Sequence, residues 1–190
     1  MAFFEKLKIK QLQKKLKKLY AARIEDGKAN LKEEISAYFE LAKLYEKSKK
    51  CDPCGIYALE CYRAAANLGN ATAQYICAKR LIDKGCFWRE WALGMFGNKV
   101  HQKYADDLFT EAQTYLTESE TQGHPLAKRL HGLAYIRGWG LQQNSDEGFR
   151  LVIASIEQEG AWERATKIFE ELGLNTPEFF SKLISHRPNQ

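Results

Sequence analysis

Apolar positions recur along this chain with the period of a helix, and no stretch shows the strict alternation of a half-buried strand. Residues Phe3 to Ile24 carry Leu12, Leu16 and Leu19 at helical spacing with lysines between them, which predicts an amphipathic first helix. Gly27 breaks it. Leu31 to Lys47 predicts a second, with Ile35, Phe39, Ala42 and Tyr45 close to one face. Asp52-Pro53 reads as an N-cap followed by a proline at the first helical position, opening a helix to Leu68 that Gly69 ends. Asn70 to Lys84 is expected to be the next. Residues 85–102 then interrupt the rhythm, with Gly85, Gly94 and Gly97 set among aromatics. Further helices are expected from Lys103 to Thr121, from His124-Pro125 to the Gly138-Trp139-Gly140 turn, and from Asp146 to Gly160. Two more should cover Ala161 to Leu172 and Thr176-Pro177 to about Ser185.

A second pattern lies over the first. The series Ala37, Ala42, Tyr45 returns as Ala73, Ala78, Leu81 and again as Ala127, Gly132, Tyr135. The first two alanines stand 36 residues apart, the next interval is 54, and 38 separate Ala127 from Ala165. The long interval exceeds the period by 18 residues, which is the length of the interrupting stretch 85–102. One insertion into a helical repeat accounts for the whole series. Small residues at fixed helical positions let paired helices approach closely, so the same element is expected to be stacked several times.

The third unit resembles a Sel1-like repeat, a relative of the tetratricopeptide repeat, through Ala127, Gly132, Tyr135, the Gly138-Trp139-Gly140 turn, Asp146, Ala154 and Gly160. The first unit shares Ala37, Ala42 and Tyr45. It closes on Arg63-Ala64-Ala65-Ala66-Asn67-Leu68-Gly69, similar to that family's run of alanines before glycine. It lacks the Gly-x-Gly turn, and in a fourth unit Glu170 stands for the small residue and Gly173 for the aromatic. The resemblance spans about residues 31–172. It implies an all-α, right-handed α/α solenoid of helix pairs. Outside it, the residues themselves predict a basic N-terminal helix over 1–30 and a C-terminal capping helix and tail over 173–190. The resemblance also implies a scaffold or adaptor role, of the kind found in bacterial signalling and host contact, with no catalytic residues.

Charge changes the picture at one end only. Residues 1–23 hold eight bases and one acid, whereas the rest of the chain holds 21 bases and 23 acids. The N-terminal helix therefore has three readings. It caps the first repeat through its leucines, it lies on an anionic membrane with Phe3, Phe4 and Leu7 inserted, or it meets an acidic partner through Lys14, Lys15, Lys17 and Lys18. Nucleic acid is disfavoured, because no basic stripe interleaves with aromatics. No apolar run reaches the roughly 18 residues of a membrane span. Lysines break any signal-like stretch near the start, so cytoplasmic synthesis is expected, with signal-less export left open.

Chemistry is sparse. Cys51 and Cys54 form a Cys-x-x-Cys at an expected helix start, where a helix end lowers a thiol pKa, but no strand precedes them as redox motifs require. Zinc would need two further ligands, and His101, His124, His131 and His186 show no ligand spacing. Cys61 and Cys77 read as small core residues. Gly138-Trp139-Gly140 follows a helix rather than a strand and lacks a third glycine, so it reads as a turn and not a nucleotide loop. Asp106, Asp107 and Glu111 read as a solvated helix face. No catalytic residue, metal ligand or cofactor is therefore assigned. The distinctive chemistry is in the insertion, where Phe87, Trp88, Trp91 and Phe96 are of the types enriched at interface hot spots. Large aromatics are usually buried, so the alternative is that the insertion folds back as a short helix and packs on its own repeat, and both hold if part of the patch stays exposed. A protein or peptide partner is expected there or in the concave groove of the solenoid. The runner-up is a membrane-peripheral assembly factor recruited by the basic helix.

Overall fold

A computed structural model describes residues 2–25, 27, 30–48, 55–94 and 97–186, with side chains from Phe4 onward. Among them every regular element is helical: α1 (Ala2–Glu25), α2 (Leu31–Lys47), α3 (Ile56–Asn67), α4 (Ala71–Gly94), α5 (Lys99–Thr121), α6 (Pro125–Arg137), α7 (Ser145–Glu159), α8 (Ala165–Glu171) and α9 (Pro177–His186). A 3-10 turn, Trp162–Arg164, leads into α8. No described helix is long and apolar enough to cross a membrane. The chain divides into two compact units, Met1–Arg80 and Leu81–Gln190, with the division inside α4.

In the first unit α1 packs on α2 and α2 on α3. Ile9, Leu12 and Leu16 of α1 are buried and Leu19 is half-buried, so the leucine row faces protein. Three ion pairs flank that row: Lys8 with Glu40 at 2.7 Å, Lys15 with Glu33 at 2.9 Å and Arg23 with Glu34 at 3.0 Å. The Glu34 side chain is only 1% exposed, so the Arg23 guanidinium supplies the cation that a buried carboxylate requires. Asn30 caps α2 by accepting from the Glu33 amide. Phe39 meets Tyr62 edge-on at 5.5 Å across α2 and α3. The Tyr62 hydroxyl donates to Glu46, which also pairs with Arg80. Burial, reinforced by Glu46, pushes the Tyr62 pKa up to about 12.

In the second unit α6 and α7 form the tightest pair. A Cβ on Gly132 would lie 2.5 Å from the Gly148 carbonyl oxygen, and one on Gly148 would lie 2.4 Å from that of Gly132. The two backbones touch at this crossing, which only glycine allows. Gly148 was not singled out by the repeat pattern, although a signal existed. It follows Gly132 by 16 residues, as Ala58 follows Ala42, and all four are buried. The repeat landmarks Ala37, Ala42, Tyr45, Ala73, Ala78, Leu81, Ala127 and Gly132 are all buried, and Tyr135 is half-buried. Beyond α7, Phe149 packs against Phe169 at 5.8 Å and Phe179 at 6.4 Å, joining α8 and α9 to the same core.

Four boundaries differ from the sequence expectation. The break expected over 85–102 is shorter than the sequence implied: α4 runs on through Gly85 and ends at Gly94, Gly97 has a positive φ, and α5 begins at Lys99 rather than Lys103. Gly85 is buried because a Cβ there would meet the Phe109 ring at 2.7 Å, so this glycine serves close packing rather than a turn. The helix expected from Asp52-Pro53 begins at Ile56 after a left-handed Gly55, and Asp52 and Pro53 lie outside the described residues. Asn144 caps α7, with its side chain accepting from Glu147, and Asp146 sits in the first turn.

Candidate functional site

The aromatic segment is built on the C-terminal half of α4. Residues 87, 90, 91 and 94 recur at helical spacing, so they share one face of that helix. Phe87, Glu90, Trp91 and Gly94 line an open groove of about 400 Å³. Phe87 is 55% exposed and Trp91 48% exposed, with the two rings 6.0 Å apart. Such exposure is unusual for paired large aromatics in a helix whose other face carries buried Leu81, Ile82 and Ala92.

Trp88 is placed differently. Its ring lies 4.9 Å from His101 and 5.6 Å from Tyr104, both on α5, and meets Phe87 edge-on at 5.5 Å. It is a half-buried wedge that joins α4 to α5 and holds up the exposed pair. Asn98 fixes the start of α5 by accepting from the amides of Val100 and His101, which sets the His101 ring against Trp88. The fourth residue expected in this cluster, Phe96, lies outside the described residues.

Phe109 on α5 is fully buried and is enclosed on several sides. The Arg89 guanidinium sits 4.3 Å above its ring and donates to the Gly138 carbonyl at 3.4 Å. Trp139 stacks parallel to it at 6.3 Å. Gly138 and Gly140 both have positive φ, and a Cβ on Gly140 would lie 2.9 Å from the Phe109 carbonyl. The Gly138-Trp139-Gly140 segment is thus the turn between α6 and α7, pressed against α5, and Gln113 donates to the Trp139 carbonyl at 2.5 Å. Sequence reasoning missed Phe109 and Gln113, because their roles depend on partners supplied by other helices and by the turn after α6.

Burial pushes the Cys86 thiol pKa up, with Arg89 opposing, so the thiol stays protonated near neutral pH. Lys103 and Asp107 pair along α5 at 2.9 Å, and Asp106 lies within 3.8 Å of Arg89. These acids sit on an exposed helix face, as the sequence implied. Cys61 and Cys77 are buried, as core residues are. Cys51 and Cys54 lie outside the described residues, and among those described no three His, Cys, Asp or Glu side chains converge as a metal would require.

A second, charged cleft of about 240 Å³ lies among Leu126, Arg129, Glu159, Arg164, Lys167, Ile168 and Glu171. Arg129 pairs with Glu159 and donates to Ser155 Oγ, while Lys167 lies 3.9 Å from Glu171. Its cations are largely met by its own carboxylates.

In the first unit, the residues expected to contact a membrane or acidic partner separate into two groups. Lys14, Lys15, Lys17 and Lys18 are all exposed, but Lys15 alone of the four pairs with a carboxylate among the described residues, Glu33 on α2. Phe4 is 74% exposed, and the Phe3 side chain lies outside the described residues. No model of a known protein family matches this chain, and a search of curated proteins finds no relative.

Proposed function

We propose that this protein is a non-catalytic interaction scaffold, an adaptor of stacked helix pairs resembling Sel1-like repeats, that engages a protein or peptide through the α4 aromatic face. The observation that carries this reading is the exposed Phe87–Trp91 pair lining its groove, supported from below by Trp88 and the α4–α5 packing. Exposed large aromatics on a rigid helix lose little conformational entropy on binding and bury much area, which is why hot spots use them. The repeat reading is supported by the buried small residues at matching positions, Ala42 with Ala58 and Gly132 with Gly148. A solenoid of such pairs would present a concave groove as a second place for an extended partner.

Site-specific photo-crosslinking tests the reading. A crosslinker at Trp91 should capture a defined partner in cells, and one at the exposed Lys167 should not. The double variant Phe87→Ala, Trp91→Ala should weaken that partner by about 2 kcal/mol or more while its melting curve is unchanged. Equal capture from both positions, or unaltered affinity of the double variant, would reject the aromatic face as the binding site.

A further inference from the structure

The other strongly marked surface is on the first unit, and it carries an inference independent of the adaptor reading. The side of α1 turned away from α2 bears Lys6, Lys10, Lys14, Lys17 and Lys18, all exposed. None of the five pairs with a carboxylate among the described residues, whereas Lys8 and Lys15, on the flank facing α2, are taken by Glu40 and Glu33. Four-residue steps place Lys6, Lys10 and Lys14 in one row about 6 Å apart, and the whole stripe is about 18 Å long. Glu25, also exposed, lies beyond its C-terminal end. Leu7 is 45% exposed beside the row, near Phe4 at its N-terminal end.

We propose that this face adsorbs on a bilayer containing anionic lipid, with α1 lying flat and still packed on α2. The leucine row is already committed to protein, so the helix does not insert as a free amphipathic helix would. Attraction comes from the unpaired lysines, each next to the negative surface and within the Debye length of about 8 Å at physiological salt. Leu7 and Phe4 add a small apolar contact at the headgroup boundary. That pair favours lipid over nucleic acid, as does the make-up of the stripe. It contains lysine alone, the one arginine of α1 is turned onto Glu34, and no aromatic ring lies between the lysines for bases to stack on. Adsorption of this kind is reversible by salt, which distinguishes it from insertion.

The experiment is co-sedimentation of the full chain with phosphatidylcholine vesicles, with and without phosphatidylserine. The chain should bind only the vesicles that contain phosphatidylserine, and should be released at about 1 M salt, where the Debye length is about 3 Å. The variant Lys10→Gln, Lys14→Gln, Lys17→Gln, Lys18→Gln should bind at least tenfold more weakly with an unchanged melting curve, because all four side chains are solvated. Leu12→Ala, which loosens the α1–α2 contact, should leave vesicle affinity within twofold. Failure to bind the anionic vesicles, or full binding by the lysine variant, would overturn the proposal. Binding that survives high salt would show insertion instead, and tighter binding to duplex DNA or RNA than to vesicles would assign the stripe to nucleic acid.

Discussion

The crossing of α6 and α7 offers the sharpest test of the packing, through Gly132→Ala. On helix propensity alone this change should stabilise, because alanine is better than glycine within a helix by about 1 kcal/mol. The structure predicts the opposite sign. The new methyl would stand 2.5 Å from the Gly148 oxygen, 2.9 Å from Val152 Cγ2 and 3.1 Å from Leu151 Cβ. The nearest obstacle is backbone, which no rotamer change relieves, so α6 and α7 must separate by several tenths of an ångström along a buried interface. Overpacking of that kind costs up to about 3 kcal/mol, so the net loss should be about 2 kcal/mol after the propensity gain. Gly148→Ala should cost a similar amount, since its methyl would meet the Gly132 oxygen and Ile136 Cγ1 at 2.4 and 2.5 Å. Once one methyl has separated the helices, the second fits more easily, so the double variant should lose at least 0.5 kcal/mol less than the sum, roughly the smallest coupling such cycles resolve. Urea unfolding followed by circular dichroism measures all three, with Gly94→Ala as control because nothing lies within 4 Å of a Cβ there. An unchanged or raised midpoint for Gly132→Ala would refute the close approach, and strict additivity would refute its being a single shared contact.

Three further outcomes follow from the same geometry. His124 caps α6 by accepting from the Ala127 amide at Nδ1, and burial holds its pKa below the ordinary 6.5, against the pull of Glu159. The folded state therefore binds fewer protons, and the cap's contribution is complete above pH 6.5 and lost as pH falls through the lower folded value. His124→Asn, which caps without titrating, should flatten that part of the pH–stability profile, and an unchanged profile would exclude His124 as its source. Trp88→Ala should lower stability by about 2 kcal/mol and Trp91→Ala by much less, as read in thermal melts, because only Trp88 wedges against His101 and Tyr104. Equal losses would mean that Trp91 is packed. Arg23→Ala should lower the urea midpoint more than Glu34→Gln, because the first leaves a buried carboxylate without its cation while the second leaves a cation that can turn to water. The reverse order would show that Glu34 is not held as a buried anion.

Local signals in the sequence determined most of the secondary structure. Apolar spacing of 3.6 residues marked α1, α2, α6 and α7, and Gly69, Gly123, Gly138 and Gly160 marked the ends of α3, α5, α6 and α7 because each has the positive φ that other residues resist. The pattern of small residues marks Ala78 and Gly132 as buried, and both are, since a residue kept small inside a helix has a neighbour close by. The same reasoning failed at Gly85, where glycine was read as a break. A glycine that admits a ring and a glycine that turns the chain look alike in one dimension, and only the approach of Phe109 from α5 separates them. The aromatic segment was legible as unusual, but the sequence could not divide it. Trp88 and Trp91 are three residues apart on one helix, and α5 packs against the first while leaving the second in solvent. The lysines of α1 divide in the same way. Lys14 and Lys15 are neighbours in the chain, yet Glu33 on α2 neutralises one and leaves the other free, because a helix turns about 100° between them. Residue type and period set the elements. Which face of each element remained available was decided by the helix packed against it.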